Sequence, residues 1–167
     1  MRELWWSLGV VCLLLTGCAK TQGTGGVSEP VTVYKSSTCG CCSLWVRHLA
    51  AAGFKASVED SEDMGSVKQR LGIPYGMGSC HTAKIEGYFI EGHVPAADIA
   101  RLLRERPRAR GLAVPGMPAG APGMETPDGL VQPYDVLLVR EDGTTSVYAS
   151  HGLGADAASL VSGRSRP

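Results

Sequence analysis

The sequence predicts an α/β fold with a single domain, and three observations support this prediction. Predicted strands alternate along the chain with predicted helices. The strands show alternating apolar and β-branched residues, beginning with Val31-Thr32-Val33-Tyr34, and the helices show apolar residues at helical spacing. The length of 167 residues, of which 44% are hydrophobic, suits one domain with its own core. Glycine (22 residues) and proline (10 residues) are frequent enough to predict long loops beside these elements.

The charge balance excludes one class of partner. Lys and Arg together number 16, and so do Asp and Glu, so the chain has no basic field that would attract nucleic acid or an anionic membrane surface. We therefore expect no nucleic-acid partner.

The N-terminal residues indicate export. The apolar stretch Leu4–Leu15 is too short to span a bilayer comfortably, and Leu14–Cys18 resembles a bacterial lipobox, in which the cysteine becomes the lipidated first residue. A plain signal peptide or an uncleaved anchor is the alternative. We expect residues 1–17 to be a lipoprotein signal peptide, Cys18 to carry lipid and residues 18–29 to be a flexible tether. The predicted location is the periplasmic side of the bacterial envelope, with a lipid anchor as the sole membrane attachment.

The first predicted unit is a strand, a cysteine cluster and a helix. The strand Val31–Tyr34 runs into small polar residues that suit a turn before a helix. From Ser43 to Ala52 apolar residues recur at helical spacing, and Gly53 ends the helix. The residues Cys39-Gly40-Cys41-Cys42 therefore lie where the strand passes into the helix.

A second strand, a second helix, a hairpin and a third helix follow. Their predicted ranges are Lys55–Glu59, Ser61–Leu71, a hairpin at 83–90 that turns near Glu86-Gly87, and a helix between Pro95 and Pro107. The order strand, helix, strand, helix, strand, strand, helix is that of a thioredoxin-like domain. The cysteines lie where that fold keeps its chemistry.

The segment after the third helix predicts an addition to this domain. Residues Gly111–Gln132 form a Pro/Gly-rich loop, and an extra β-hairpin follows with strands Tyr134–Val139 and Thr144–Ala149. We expect the metal-binding domain to span residues 30–153 and residues 154–167 to be a weakly ordered tail.

Four of the six cysteines are expected in the mature domain, because Cys12 leaves with the signal peptide and Cys18 takes up lipid. Cys39 and Cys42 have the C-x-x-C spacing of redox motifs, and Cys41 adds a third thiol between them. A helix N-terminus favours thiolates, but three within four residues repel one another unless a cation or oxidation removes the charge. A soft metal does so, whereas two structural disulfides are the alternative for an exported protein.

Cys80 and His81 precede the third predicted strand. In thioredoxin-like folds this segment faces the C-x-x-C across a narrow gap and usually carries a cis-proline. Two potential ligands therefore replace a platform for disulfide substrates, and we predict that they join the cysteine cluster. In the alternative, Cys80 forms a disulfide with one cysteine of the cluster and His81 is an ordinary surface residue.

Met117 and Met124 lie in the Pro/Gly-rich loop, each directly after a glycine. Thioethers are soft, uncharged ligands that suit Cu(I), so both are candidate ligands, although packing as an apolar lid is the alternative. We expect ordinary packed or solvated side chains at His48, His93 and His151. At most, His93 and His151 would contact the ligands without binding the metal.

Five short segments occur in order between about Val31 and His151; they are Cys39–Cys42, Ser79–Ala83, Glu91–Pro95, Gly111–Pro118 and Gly123–Glu125. Together they resemble the DUF411 family of metal-binding proteins. The resemblance implies a thioredoxin-like fold, an envelope location and a part in copper handling or resistance. It also implies a ligand set, with the four thiols of Cys39, Cys41, Cys42 and Cys80 and with His81, Met117 and Met124 as additional contacts.

Two main functions are compatible with these residues. The first is a binding protein that holds Cu(I) in the cysteine cluster and sequesters it or passes it to an exporter, with zinc as the second choice of metal. The second is a thiol-disulfide or copper oxidoreductase that cycles Cys39 and Cys42 with a redox partner in the envelope. Cys80-His81 in place of a cis-proline favours binding. A third hypothesis is a lipoprotein stapled by two disulfides that recruits a partner.

Overall fold

The computed structural model describes residues 30–152. The predicted signal peptide, the lipid attachment at Cys18, the tether and the C-terminal tail lie outside the described residues. Within them the chain forms three helices and seven strands: β1 (Val31–Lys35), α1 (Gly40–Ala51), β2 (Ala56–Asp60), α2 (Met64–Leu71), β3 (Thr82–Ile85), β4 (Tyr88–Glu91), α3 (Ala96–Glu105), β5 (Ala109–Ala113), β6 (Tyr134–Arg140) and β7 (Thr145–His151).

All seven of these strands belong to one mixed sheet with the order β2-β1-β3-β4-β5-β6-β7. Strand β1 pairs in parallel with β2 and antiparallel with β3, and β4 pairs antiparallel with β3 and in parallel with β5. The predicted α/β class is therefore confirmed. The β3–β4 hairpin turns at Glu86 and Gly87, which have positive φ angles of 45° and 88°, at the predicted position.

Strand β5 is a difference from the sequence analysis, which began the Pro/Gly-rich loop at Gly111. Gly111 instead pairs with Phe89 of β4 and Val139 of β6, and a side chain at this position would collide with the carbonyl oxygen of Phe89. Glycine allows this close approach but breaks the apolar alternation by which a strand is recognised. The irregular segment therefore begins at Val114.

The core lies between the sheet and helices α1 and α3. Trp45 and Leu49 of α1 and Ile99 and Leu102 of α3 are fully buried in one apolar cluster, together with inward-facing residues of β1, β3, β4 and β5. Between Pro30 and Gly152, no helix is long and apolar enough to cross a membrane.

The sheet register brings three segments to one end of the sheet. Tyr34 near the end of β1 pairs with Thr82 at the start of β3, and Thr82 pairs with Glu91 at the end of β4. The loop from β1 to Cys39, the residues before β3 and the residues after β4 therefore meet. Each carries cysteine or histidine.

Candidate metal centre

The sulfur atoms of Cys39, Cys41, Cys42 and Cys80 all lie within 4.8 Å of one another. Cys39 and Cys42 form a disulfide, and Cys41 and Cys80 are free thiols. The Cys41 sulfur is 3.6 Å from that of Cys39 and 3.8 Å from that of Cys80. The structure thus brings together the four thiols that the sequence analysis selected, and it pairs two of them.

Helix α1 presents three of these cysteines from its first turn. Cys39 is the N-cap residue without a side-chain cap, and Cys42 is fully buried beneath the turn. The loop before Cys39 is held by Glu62, whose carboxylate accepts hydrogen bonds from the backbone N–H and the hydroxyl of Ser37 at 3.3 and 2.9 Å. The first turn of α1, whose first N–H groups have no partner within the helix, thus carries three of the four sulfurs.

Two imidazoles complete the site. His81 Nδ1 lies 3.3 Å and His93 Nε2 lies 3.1 Å from the sulfur of Cys80, and these three donor atoms lie within 4.8 Å of one another. Both rings are fully buried. Cys80 thus belongs to two donor groups, one of sulfurs and one with imidazoles.

His93 corrects the sequence analysis, which treated it as an ordinary residue that at most supports the ligands. It stands beside Cys80 because β3 and β4 pair through Thr82 and Glu91, so that residues just outside the hairpin ends become neighbours. Two signals could have found it. The hairpin turn at Glu86-Gly87 fixes this register, and Glu91–Pro95 is one of the five segments that carry the family resemblance. His48, by contrast, is the packed residue that the sequence analysis expected. Its ring accepts a hydrogen bond from Ala96 N at 3.0 Å and so supports the start of helix α3.

The hydrogen bond of His93 leaves its second ring nitrogen free to donate a lone pair to a metal. His93 Nδ1 donates to the carbonyl oxygen of Pro122 at 2.8 Å, so Nε2 carries the lone pair that faces Cys80. His81 Nε2 is buried and has no hydrogen-bond partner among the described residues. Its ring lies 4.3 Å from that of Trp45, measured between centroids.

Burial sets the charge state of these groups. It lowers the pKa of His81 to about 3, with the neighbouring His93 and Lys68 acting in the same direction, and it lowers the pKa of His93 as well. Burial and the nearby Cys41 raise the pKa of the Cys80 thiol to about 11. At neutral pH the imidazoles are therefore neutral donors, and Cys80 releases a proton when it binds a cation.

The Pro/Gly-rich segment packs on the cysteine helix. A side chain on Gly123 would place its Cβ 2.8 Å from both Cys41 O and Trp45 N, and the φ angle of +85° also favours glycine. The segment therefore lies against the first turn of α1 at a distance that glycine permits. Met124 follows directly, whereas the Met117 side chain is 54% exposed. Their assignment as ligands stays a prediction.

Comparisons with known proteins show a family and two solved structures to which the chain is similar. The model of the family described as "Protein of unknown function, DUF411" matches residues 77–124, a range that contains Cys80, His81 and His93. Two solved structures, entitled copper resistance protein CopG, form 1 and form 2, are each 51% identical to this chain and cover 74% of it. The chain covers 98% and 99% of theirs, with TM-scores of 0.69 and 0.70. No curated protein gives a significant match.

Proposed function

The chain belongs to the DUF411 family as a CopG-like protein, and from this premise we propose that it holds Cu(I) through its cysteine cluster and serves in copper resistance. The single observation that carries the proposal is the shared position of Cys80 between three further sulfurs and two buried imidazoles. Thiolates and neutral imidazoles are donors that copper prefers.

Copper is favoured over zinc by the number and arrangement of the donors. Four thiols alone would close a tetrahedral zinc site and leave His81 and His93 without a role. A sulfur shared by two donor groups instead supports sulfur-bridged Cu(I), with Met117 and Met124 as further soft ligands from the neighbouring segment. The cargo would be sequestered here or handed to an exporter in the envelope.

Competition for metal tests this proposal. Anaerobically purified and reduced protein should take Cu(I) from a Cu(I)-selective chelator with zinc present, because thiolates prefer the softer ion. Cys41→Ser should weaken Cu(I) binding and leave the fold intact. Retention of zinc with failure to compete for Cu(I) would contradict the copper proposal, and wild-type affinity in Cys41→Ser would exclude Cys41 as a ligand.

The disulfide between Cys39 and Cys42 favours a second function, a copper oxidoreductase. The dithiol form would give one electron to each of two Cu(II) ions, which become Cu(I), while the sulfurs form the disulfide and release two protons. Anaerobic mixing of reduced protein with Cu(II) tests this step. It predicts two Cu(I) and the loss of two thiols per protein, and Cys42→Ser should abolish this stoichiometry.

The remaining expectations from the sequence enter as parts of the same proposal. The strand order β2-β1-β3-β4, with β3 antiparallel to β1, supports assignment of the core to the thioredoxin-like folds.

Lipid attachment at Cys18 would hold residues 30–153 at the periplasmic face of the envelope, beside its exporter or redox partner. Labelled palmitate should appear in the protein and be lost in Cys18→Ala, and unchanged labelling in that variant would contradict the anchor.

A further inference from the structure

We propose that Glu91, with Lys68 as its counter-ion, is a positioning residue that fixes Cys80 and His81 in the metal centre. The inference rests on the proposed function and names a group that supports its site without contacting the metal. Glu91 is the last residue of β4 and is fully buried, with a side chain that points toward the chain before β3.

The Glu91 carboxylate holds the chain on both sides of the two donors. One oxygen accepts a hydrogen bond from Ser79 N at 2.6 Å, directly before Cys80. The other accepts from the Thr82 hydroxyl at 2.6 Å, directly after His81. Lys68 of α2 pairs with the carboxylate and also donates to the Thr82 hydroxyl at 2.8 Å.

The segment that is held in this way also has backbone bonds to other parts of the chain, since Gly116 N–H donates to Gly78 O at 3.2 Å and Gly92 N–H donates to His81 O at 3.1 Å. Residues 72–81 contain no helix or strand, so the position of the Cys80 backbone depends on bonds from outside the segment. His93 follows Glu91 by two residues, and its ring faces the Cys80 sulfur at 3.1 Å. The Glu91 carboxylate therefore joins the backbone before Cys80 and the side chain after His81 to the strand that leads to His93.

The cost of the pair argues for a role beyond general stability. Taking a carboxylate and an ammonium group out of water is expensive, and a well-packed apolar pair of similar size is often at least as stable. An apolar pair, however, could not accept the hydrogen bonds of Ser79 and Thr82. The buried Glu91 carboxylate therefore holds the segment that carries Cys80 and His81 in place. Loss of a group that supports metal ligands typically weakens metal affinity by about 10- to 100-fold.

The test compares three variants of the full chain with the wild type. Glu91→Ala removes both hydrogen bonds, and Glu91→Gln combined with Lys68→Met keeps the shape without burying an unpaired charge. Asp98→Asn is the matched control, because Asp98 is also a buried carboxylate with an imidazole partner, His151 at 2.7 Å, on another side of the fold.

Glu91→Ala should lower Cu(I) affinity by about 10-fold or more and shift the thiolate-to-copper absorption bands at saturating copper. The double variant should fold, as judged by circular dichroism, and recover part of both. Asp98→Asn should lower the melting temperature and leave affinity and bands unchanged. Wild-type affinity and bands in both Glu91 variants, or equal losses in Asp98→Asn, would overturn the inference.

A readout without copper separates this inference from the proposed function. In a Cys41→Ser background with the Cys39–Cys42 disulfide formed, Cys80 is the one free thiol among the described residues. Its alkylation by iodoacetamide should be several-fold faster with Glu91→Ala and unchanged with Asp98→Asn. Failure of the wild type to bind Cu(I) would refute the copper proposal alone, whereas an unchanged alkylation rate would refute the positioning role.

Discussion

The two halves of the candidate metal centre are built in different ways. The half at the start of α1 places three cysteines within four residues, in a partly exposed turn, and two of them already form a disulfide. The half around Cys80 joins residues from before β3 and after β4, and its two imidazoles are fully buried. The first half can change its donors by oxidation. The second keeps its donors because packing fixes them. One site can therefore combine donors that depend on the redox state with donors that do not.

The largest effect is expected where the halves meet. Cys80→Ser removes a sulfur that both donor groups share, so Cu(I) affinity should fall by more than about 100-fold, beyond the usual loss of an outer partner. Cys41→Ser removes a donor of the sulfur group alone and should cost less. Chelator competition on both variants measures the difference, and an equal or larger loss in Cys41→Ser would show that Cys80 is not the shared ligand.

A smaller effect should separate the two types of histidine. His93→Gln removes the imidazole lone pair beside Cys80 and should weaken Cu(I) binding by about 10- to 100-fold. This is the loss of metal affinity typical for mutation of residues that support metal ligands. His48→Gln changes a histidine of α1 that contacts Ala96 instead of the cluster. It should leave Cu(I) affinity unchanged, although it weakens the start of α3. Equal affinities in the two variants would contradict a role for His93.

The smallest effect is a pH dependence of stability to which His81 contributes. The folded pKa of His81 is about 3, below the ordinary value of 6.5, so its contribution to stability is present above pH 6.5 and is lost as the pH falls. Between pH 6.5 and 5.5 this loss amounts to about 1 kcal/mol for one proton. Urea unfolding of the metal-free, disulfide-bonded protein should show it, and His81→Phe should reduce it, because the lowered pKa values of His93 and His48 leave a remainder in the same direction. The oxidised cysteines do not titrate, so a dependence of equal size in His81→Phe would place its origin elsewhere.

The same contrast explains how much the sequence could predict. The cysteine cluster at α1 depends on adjacent residues, and a strand followed by a helical pattern was enough to locate it. Cys80 and His81 were found through the expected order of elements. His93 was missed because its place depends on the pairing of Thr82 with Glu91, a relation that no local pattern displays.

Two other features lay beyond local patterns for similar reasons. Strand β5 was missed because Gly111 interrupts its alternation, although the sheet needs glycine there for the approach to Phe89. Glu91 was not singled out from the sequence, since its partners Ser79, Thr82 and Lys68 come from three other parts of the chain. Sequence spacing reveals groups that act with their neighbours, and long-range packing decides the rest.

The contact between Trp45 and His81 gives the protein an optical property. Trp45 is the single tryptophan between Pro30 and Gly152, its indole N–H donates to Val94 O at 2.8 Å, and its ring touches the buried imidazole. Because indole emission is sensitive to nearby metal ions, thiols and charge, we expect the fluorescence of Trp45 to change with the state of the site. In protein that lacks residues 1–17, and with them Trp5 and Trp6, loading could then be followed without a dye, from an indole that the hydrogen bond to Val94 O holds beside His81.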